Sequence, residues 1–423
     1  MKKVKMFGMA TLALLGSTTL FSAVSPIAAS AARTKVVLWD GMTGPYAKSL
    51  DKIVKQYNNS QSKYTVVRQS QGNYATLTQK IMAAAKSKTL PDMAQATYTQ
   101  VPDYEKEGIV APLDSYMLKG SNKISKTQLK NIYPGFVSSS KWQGKYYSIP
   151  FSKSVRVMLV NQDLLKQLGF STPKTWSDVE KISKAAKAKG DAGVGFDQSF
   201  DMELESLSNA AGTKFVSKNL KVKFASSKVL KAADGIYGML QNGEAWTAGA
   251  DIYGTNRFAE GKTALYFSSS AGVSISSTTV KKFKLATAVF PSYQGKRSTE
   301  LAGNDLVMLN NNKKHQAGVW SFMKYLLKDK TTEQWAEATG YLPLTKTARN
   351  SASYKNYLKK NPLYKAAADS LPYGFQATAF SGYNDYRTEM LNAVDLVTSK
   401  KESPDKVFPA SAKKMKTIIS ENK

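Results

Sequence analysis

The chain has 423 residues, with 60 Lys and Arg against 31 Asp and Glu, a formal charge of +29, one histidine and no cysteine. The missing cysteine excludes disulfides, thiolate catalysis, Cys-ligated metals and a lipid-bearing cysteine anchor, and the lone histidine excludes a zinc site built on several imidazoles. The basic residues are scattered in pairs such as Lys281-Lys282, Lys313-Lys314 and Lys413-Lys414, without a reader motif, which argues against nucleic-acid binding.

Lys2, Lys3 and Lys5 precede an apolar run over 6–24 and the small-residue site Ala29-Ser30-Ala31, the pattern of a secretory signal peptide spanning 1–31. Its removal lowers the charge from +29 to +26, since 1–31 holds three lysines and no acid. About 390 residues remain, enough for two or three domain-sized units. No later stretch is apolar enough to span a bilayer, so a soluble, non-lipidated extracellular protein is expected. Its charge has two readings, a solvated basic surface or electrostatic retention on an anionic cell-wall polymer.

Val36–Trp39 reads as a strand, followed by the turn Asp40–Gly44 and a helix with Tyr46, Leu50, Ile53, Val54 and Tyr57 on one face. A strand at Tyr64–Val67, a helix through Leu77, Ile81 and Ala84, and a strand opening at Leu90–Met93 continue the alternation. Further on come a strand at Val157–Val160, helices at Gln162–Leu168 and Trp176–Ala188, a strand at Gly193–Phe196, and helices at Leu204–Ala211 and Val229–Gln241. Strands at Thr263–Phe267 and Asp305–Leu309, a helix at His315–Lys328 with Trp320, Met323 and Leu327 on its apolar face, and a final helix within Ser403–Lys423 complete the pattern. Alternation of this kind predicts a largely parallel sheet covered by helices. Ligands of such sheets sit beyond the carboxyl ends of the strands, which places Asp40, Tyr74 and Tyr98 near a common cleft.

Enzyme chemistry finds little support. His315 sits in a polar run at a helix start, a poor place for a catalytic base. Asp201, Glu203 and Glu205 alternate, but helical residues two apart do not share a face. Gly254 and Gly261-Lys262-Thr263 are separated by six residues where a phosphate loop needs four, and the strand follows the Gly-Lys-Thr. No catalytic residue, metal or cofactor is therefore expected. Aromatics beside turns are more informative, because rings stack on sugar faces and phenols hydrogen-bond polar ligands. They are Trp39, Tyr74, Tyr98, Phe200, Tyr341, Tyr383 and Tyr386.

A series of short segments in fixed order gives these residues a context. They are Leu38-Trp39-Asp40-Gly41-Met42, Gln71-Gly72-Asn73-Tyr74, Leu90-Pro91-Asp92, Ile149-Pro150-Phe151, Asn161–Leu165, Pro173-Lys174-Thr175-Trp176, Phe258–Ala264 and Thr339–Thr345. Across the mature chain this resembles the extracellular solute-binding proteins for sugars and glycerol-3-phosphate in ABC importers, above all the glycerol-3-phosphate and glycerophosphodiester branch.

The resemblance implies an α/β fold of two helix-covered sheets joined by three chain crossings, near 148–153, 301–305 and 341–345. One lobe would be 33–150 plus 302–342 and the other 151–301 plus 343–423. It also implies a monomer that closes around a small-molecule ligand and then engages a permease. Ligand contacts carried over are Tyr74, Ser154, Ser269 or Ser270, Gly303 with the adjoining Asn304, and Tyr341. Tyr98 stands where that branch has a glutamate, and Asn384 where it has a phosphate-binding arginine. Phe196 and Phe200 replace a pair of tryptophans. Arg387, one helical turn beyond Asn384, could reach the same anion; a neutral sugar with Arg387 on the surface is the other reading.

Overall fold

The computed structural model describes residues 32–198 and 200–423, so the leader peptide expected over 1–31 lies outside the described residues. Local sequence accounts for most elements. β1 (Thr34–Asp40) leads into the helix Gly44–Asn59, which buries Leu50, Ile53, Val54 and Tyr57 on one stripe. β2 (Tyr64–Ser70) precedes the helix Tyr74–Ser87, whose N-cap Asn73 accepts a hydrogen bond from the Thr76 N–H. β3 (Met93–Ala96) follows, then the short hairpin β4 (Lys141–Trp142) and β5 (Lys145–Tyr146).

β6 (Ser148–Asn161) is fourteen residues long and buried throughout. The helix Trp176–Ala188 starts in a reciprocal cap between Thr175 and Asp178. β7 (Ala192–Phe196), β8 (Ala245–Thr247), β9 (Thr263–Ser269), β10 (Leu285–Ala288), β11 (Thr299–Met308) and β12 (Gly374–Phe375) complete the strands.

The main sheet runs β2-β1-β3-β11-β6-β9-β7-β8, with β10 on β6 and β12 on β11. Its outer parts are parallel, as β-α alternation requires, but β6 and β11 pair antiparallel with each other, and β10 is antiparallel to β6. The expected largely parallel sheet is therefore mixed. The two long strands run in opposite directions between the lobes, so they meet head to tail.

Their register places Gly303 opposite Lys153 and Asn304 opposite Ser152, then shifts so that Asp305 faces Pro150. Proline has no N–H for the ladder, and the bulge falls beside it. A third segment joins them, with the Leu342 N–H donating to the Lys153 carbonyl at 2.7 Å. Buried Lys153 forms an ion pair with Asp305, which also accepts from Ser148 Oγ at 2.8 Å.

Two cores lie on either side of these crossings. One packs the helices Gly44–Asn59, Gln316–Leu326 and Asp329–Thr339 against Val36, Leu38, Val66, Leu306 and Met308. The other packs the helices Trp176–Ala188, Ser227–Gln241, Tyr383–Thr398 and Pro404–Glu421 against Val194, Phe196, Leu265 and Phe267. A further cluster joins Ile132 and Phe136 to Trp246, Phe258, Tyr266 and Leu344. On the helix Gln316–Leu326, Leu326 is buried beside Trp320 and Met323, and the expected Leu327, the C-cap, is partly buried against the same core. His315 precedes this helix, with Nδ1 2.9 Å from Asp92 Oδ1. No helix among the described residues is long and apolar enough to cross a membrane.

Candidate ligand site

Tyr74 opens its helix directly after the Asn73 cap, which turns the ring back toward the crossings. Its Oη accepts from Asn304 Nδ2 at 2.6 Å and lies 3.5 Å from Tyr341 Oη. Burial pushes the Tyr74 phenol up to about 12, and raises Tyr341 well above the ordinary tyrosine value. Both are neutral hydrogen-bonding groups at physiological pH. Tyr341 is fixed by near-parallel stacking on Trp335, 5.9 Å between centroids, and by Tyr46 at 6.0 Å.

Tyr46 in turn reaches across the cleft. Its Oη donates to the Ala271 carbonyl at 2.9 Å and sits 3.2 Å from Ser274 Oγ. Asn304 is fully buried, and its Oδ1 has no hydrogen-bond partner among the described residues. Beside it Gly303 takes φ +96°, and a Cβ there would lie 1.9 Å from the Ser152 carbonyl oxygen. Only glycine lets the crossing strands approach this closely.

The serines close the same corner. Ser270 Oγ accepts from the Val155 N–H at 3.3 Å, and Ser269 Oγ accepts from the Ala271 N–H at the same distance. Ser154 is buried opposite Ala302 in the β6–β11 ladder. The structure thus gathers Tyr74, Ser154, Ser269, Ser270, Gly303, Asn304 and Tyr341 around the crossings.

Tyr98 belongs to a second group. Its Oη donates to the Ala377 carbonyl at 3.3 Å, and Lys153 Nζ sits 5.8 Å from its ring centroid. Glu300 and Glu205 face this phenol and, with burial, hold it protonated. Arg387 faces Glu300 and Asp201, its Nη2 lying 3.2 Å from Asp201 Oδ1.

Three expected residues go elsewhere. Asp40 is fully buried and engaged by Arg68 at 2.8 Å and by the Met42 N–H at 2.9 Å, tying the ends of β1 and β2. Phe200 lies in a core, 5.6 Å from Phe196 and 6.0 Å from Tyr237, and Phe196 is buried with it. Asn384 is exposed on the first turn of the helix Tyr383–Thr398.

Tyr253 was not anticipated. It is 63% exposed on a turn where Ile252 takes φ +64°, and it faces the phenols of Tyr46, Tyr74 and Tyr341. The signal was present, since Gly249-Ala250-Asp251-Ile252-Tyr253-Gly254 sets an aromatic beside a turn like the others. Asp201, Glu203 and Glu205 are all buried, and Glu203, two residues from each of the others, does not share their face. Glu203 turns to Arg156, which it contacts at 2.5 Å, while Asp201 and Glu205, one turn apart, face the cleft group.

The site therefore offers neutral phenols, a buried amide and a partly exposed stretch of β11 at Ala302 and Gly303, a surface suited to a small polyhydroxylated molecule. Known proteins agree in architecture. The chain is 26% identical over 346 residues to a Brucella melitensis sn-glycerol-3-phosphate-binding periplasmic protein UgpB, covering 78% of this chain and 79% of the relative. It is 25% identical to the Escherichia coli K12 protein of the same name, with 78% of both chains covered.

Its fold matches the cyclic alpha-maltosyl-1,6-maltose binding protein of Arthrobacter globiformis with a TM-score of 0.80 and 19% identity, over 92% of this chain and 100% of that one. It also matches Mycobacterium tuberculosis UgpB in complex with glycerophosphocholine, with a TM-score of 0.81 and 18% identity over 92% and 98% of the two chains. The two-lobed α/β fold is the one these binding proteins share. With the family model matching residues 52–365, the chain belongs to the bacterial extracellular solute-binding proteins.

Proposed function

We propose that this protein is the receptor of an ABC importer, capturing a sugar or a glycerophosphate compound between its lobes and presenting the closed form to a permease. The observation that carries this is the Tyr74–Asn304–Tyr341 cluster on the crossing segments, with Tyr46 reaching from it to Ala271 and Ser274 on the far side. A ligand held there touches both lobes, and it shifts the open–closed equilibrium by its differential affinity for the closed form. The lobes divide as 33–150 plus 302–342 and 151–301 plus 343–423, a division supported by the paired crossings of β6, β11 and Leu342. The protein acts by binding, as its named relatives do, without transforming the solute.

Two ligand classes have support. The names of the relatives favour a glycerophosphate compound. The pairing of Arg387 with Asp201 favours a sugar, because a buried phosphate needs a cation. A thermal-shift screen of glycerophosphates and oligosaccharides tests both. A true ligand at about 100 times its Kd stabilises the fold by about 2.7 kcal/mol. A complete absence of stabilisation across both classes would remove the receptor reading.

The protein is further proposed to be exported, cleaved after Ala31 and retained by its charge on anionic wall polymers as a non-lipidated monomer. N-terminal sequencing of the surface protein should then begin at Ala32. Salt near 1 M, where the Debye length is about 3 Å, should release it; full retention would require another attachment.

A further inference from the structure

Beneath Tyr98 lie three carboxylates, Asp201, Glu205 and Glu300, which are 5%, 5% and 6% exposed. Asp201 and Glu205 share a face of the helix Asp201–Ala210. Glu300 comes to them from β11, held by its N–H donating to Ser206 Oγ at 3.1 Å. Two cations face this group. Arg387 pairs with Asp201 at 3.2 Å. Lys214 donates to the Gln376 carbonyl at 2.7 Å, 5.5 Å from the Phe375 ring centroid, and faces Glu205 and Glu300.

The neighbouring Arg156 is already shared by Asp197 and Glu203, at 3.0 and 2.5 Å. Three carboxylates against two cations leave one buried negative charge in excess, a costly arrangement unless a proton or a cation joins it. Glu205 accepts from the Phe215 N–H at 3.3 Å.

A second observation points the same way. Tyr386 Oη is buried without a hydrogen-bond partner among the described residues, in a side chain 2% exposed that faces Glu205, Asp201 and Glu300. Aromatic surface surrounds the carboxylates. Tyr383 lies 5.7 Å from Tyr386, with Phe380 against both, and Tyr98 covers the group from the other side of the cleft. Carboxylates among aromatic faces are the surroundings that attract an organic ammonium. Among the described residues no acids are grouped to hold a metal ion.

We infer that this cluster receives an ammonium group carried by the transported solute, a refinement that rests on the receptor reading above. Glu300, Ala302 and Asn304 alternate along one face of β11, ahead of its bulge. The four residue steps from Glu300 to Asn304 span roughly 13 Å at 3.3 Å per step. A solute of that length sets its cation on Glu300 and its hydroxyls on Asn304, Tyr74 and Tyr341.

Burial and the facing Glu205, Asp201 and Glu203 raise the Glu300 carboxyl above the usual range, against the pull of Arg387. An arriving cation displaces its proton. Affinity for a permanent cation should therefore rise with pH until Glu300 is ionised without help, while Tyr98, Tyr383 and Tyr386 stay neutral throughout.

Isothermal titration of the full chain with two matched pairs tests this. One pair is glycerophosphocholine and glycerophosphoglycerol, both phosphodiesters; the other, free of phosphate, is a glucosamine disaccharide and its glucose counterpart. The ammonium-bearing member of at least one pair should bind about tenfold tighter or better. Glu300→Gln should erase that preference while leaving the ammonium-free partner's affinity in place, and Glu205→Gln serves if the first variant misfolds.

Glycerophosphocholine affinity should rise between about pH 5 and pH 8 in the wild type and rise distinctly less in Glu300→Gln, where only Glu205, pushed up to about 7, still titrates in that window. Equal or weaker binding of the ammonium compounds overturns the inference, as does a preference that survives Glu300→Gln. If only the neutral sugar binds, the receptor reading stands and the cation site falls. If none of the four binds, both fall for these solutes.

Discussion

Gly303→Ala probes the crossing directly. At φ +96° an L-residue costs about 1–2 kcal/mol relative to glycine. The added Cβ would also stand 1.9 Å from the Ser152 carbonyl oxygen, 2.9 Å from its carbon and 3.1 Å from Lys153 Cα. All three are backbone atoms, so no side-chain rotation relieves the clash. β6 and β11 must part where Gly303 faces Lys153, losing one or two ladder hydrogen bonds at about 1 kcal/mol each.

The total is roughly 3 kcal/mol, which at about 2 °C per kcal/mol lowers Tm by roughly 6 °C. Gly295→Ala is the control. It shares a positive φ of +75° but has nothing within 4 Å of the added Cβ, so only the conformational cost applies. Melting both variants by circular dichroism, with and without ligand, separates strain from clash. The same strands carry the hinge, so small-angle scattering of Gly303→Ala should show a smaller ligand-induced contraction. A Gly303→Ala protein that melts with Gly295→Ala and closes normally would refute the argument that this approach needs glycine.

Tyr74→Phe removes the acceptor of Asn304 Nδ2 in a part-buried contact to a fully buried amide, and should cost about 1 kcal/mol in a denaturant melt and weaken solute binding about tenfold; unchanged affinity would take Tyr74 out of the site. Tyr253→Ala, at a side chain 63% exposed, should melt within about 0.5 kcal/mol of wild type yet bind solute more weakly by calorimetry; a melt as damaged as the binding would give Tyr253 a structural role instead. Burial pushes Glu205 up to about 7 and Glu300 well above the usual glutamate value. Acids raised in the folded state add stability below their unfolded value, which is lost as pH rises through the folded one. The ligand-free protein should thus gain stability from these groups as pH falls from about 8 to about 5, and Glu300→Gln should flatten that gain; calorimetric melts showing the same slope in both proteins would contradict it.

Periodicity made most elements legible because burial acts on them locally. Leu50, Ile53, Val54 and Tyr57 fall on one helical stripe whatever packs above it, and the Thr175–Asp178 cap is written in four consecutive residues. The site was legible only in part. A residue just after a strand is near the cleft, but sequence position does not give its direction. Tyr74 points to the crossings and Asp40 points down onto Arg68, although both follow the carboxyl ends of neighbouring strands. Phe200 carries the same turn-flanking signal as Tyr341, yet Phe196 and Tyr237 offer it an apolar pocket and it enters the core. The antiparallel pairing of β6 with β11 joins segments about 150 positions apart, beyond the reach of any local pattern.

The charge distribution shows why the acidic group was missed. A formal +29 invites a search for basic sites, and in the run Asp201–Glu205 the neighbouring acids, two residues apart, do not share a helix face. The fold divides that run. Glu203 is drawn inward by Arg156 on β6, while Asp201 and Glu205 turn to meet Glu300 from a strand nearly a hundred residues later. Neither segment alone carries an excess of buried charge; only their meeting creates it. Lysine on the surface cannot compensate for it, because water screens those charges over about a Debye length and the carboxylates lie beneath Tyr98. The two proposals therefore draw on separate charges. The proposed retention on large polyanions uses the basic exterior, and the proposed cation site uses the carboxylates beneath Tyr98.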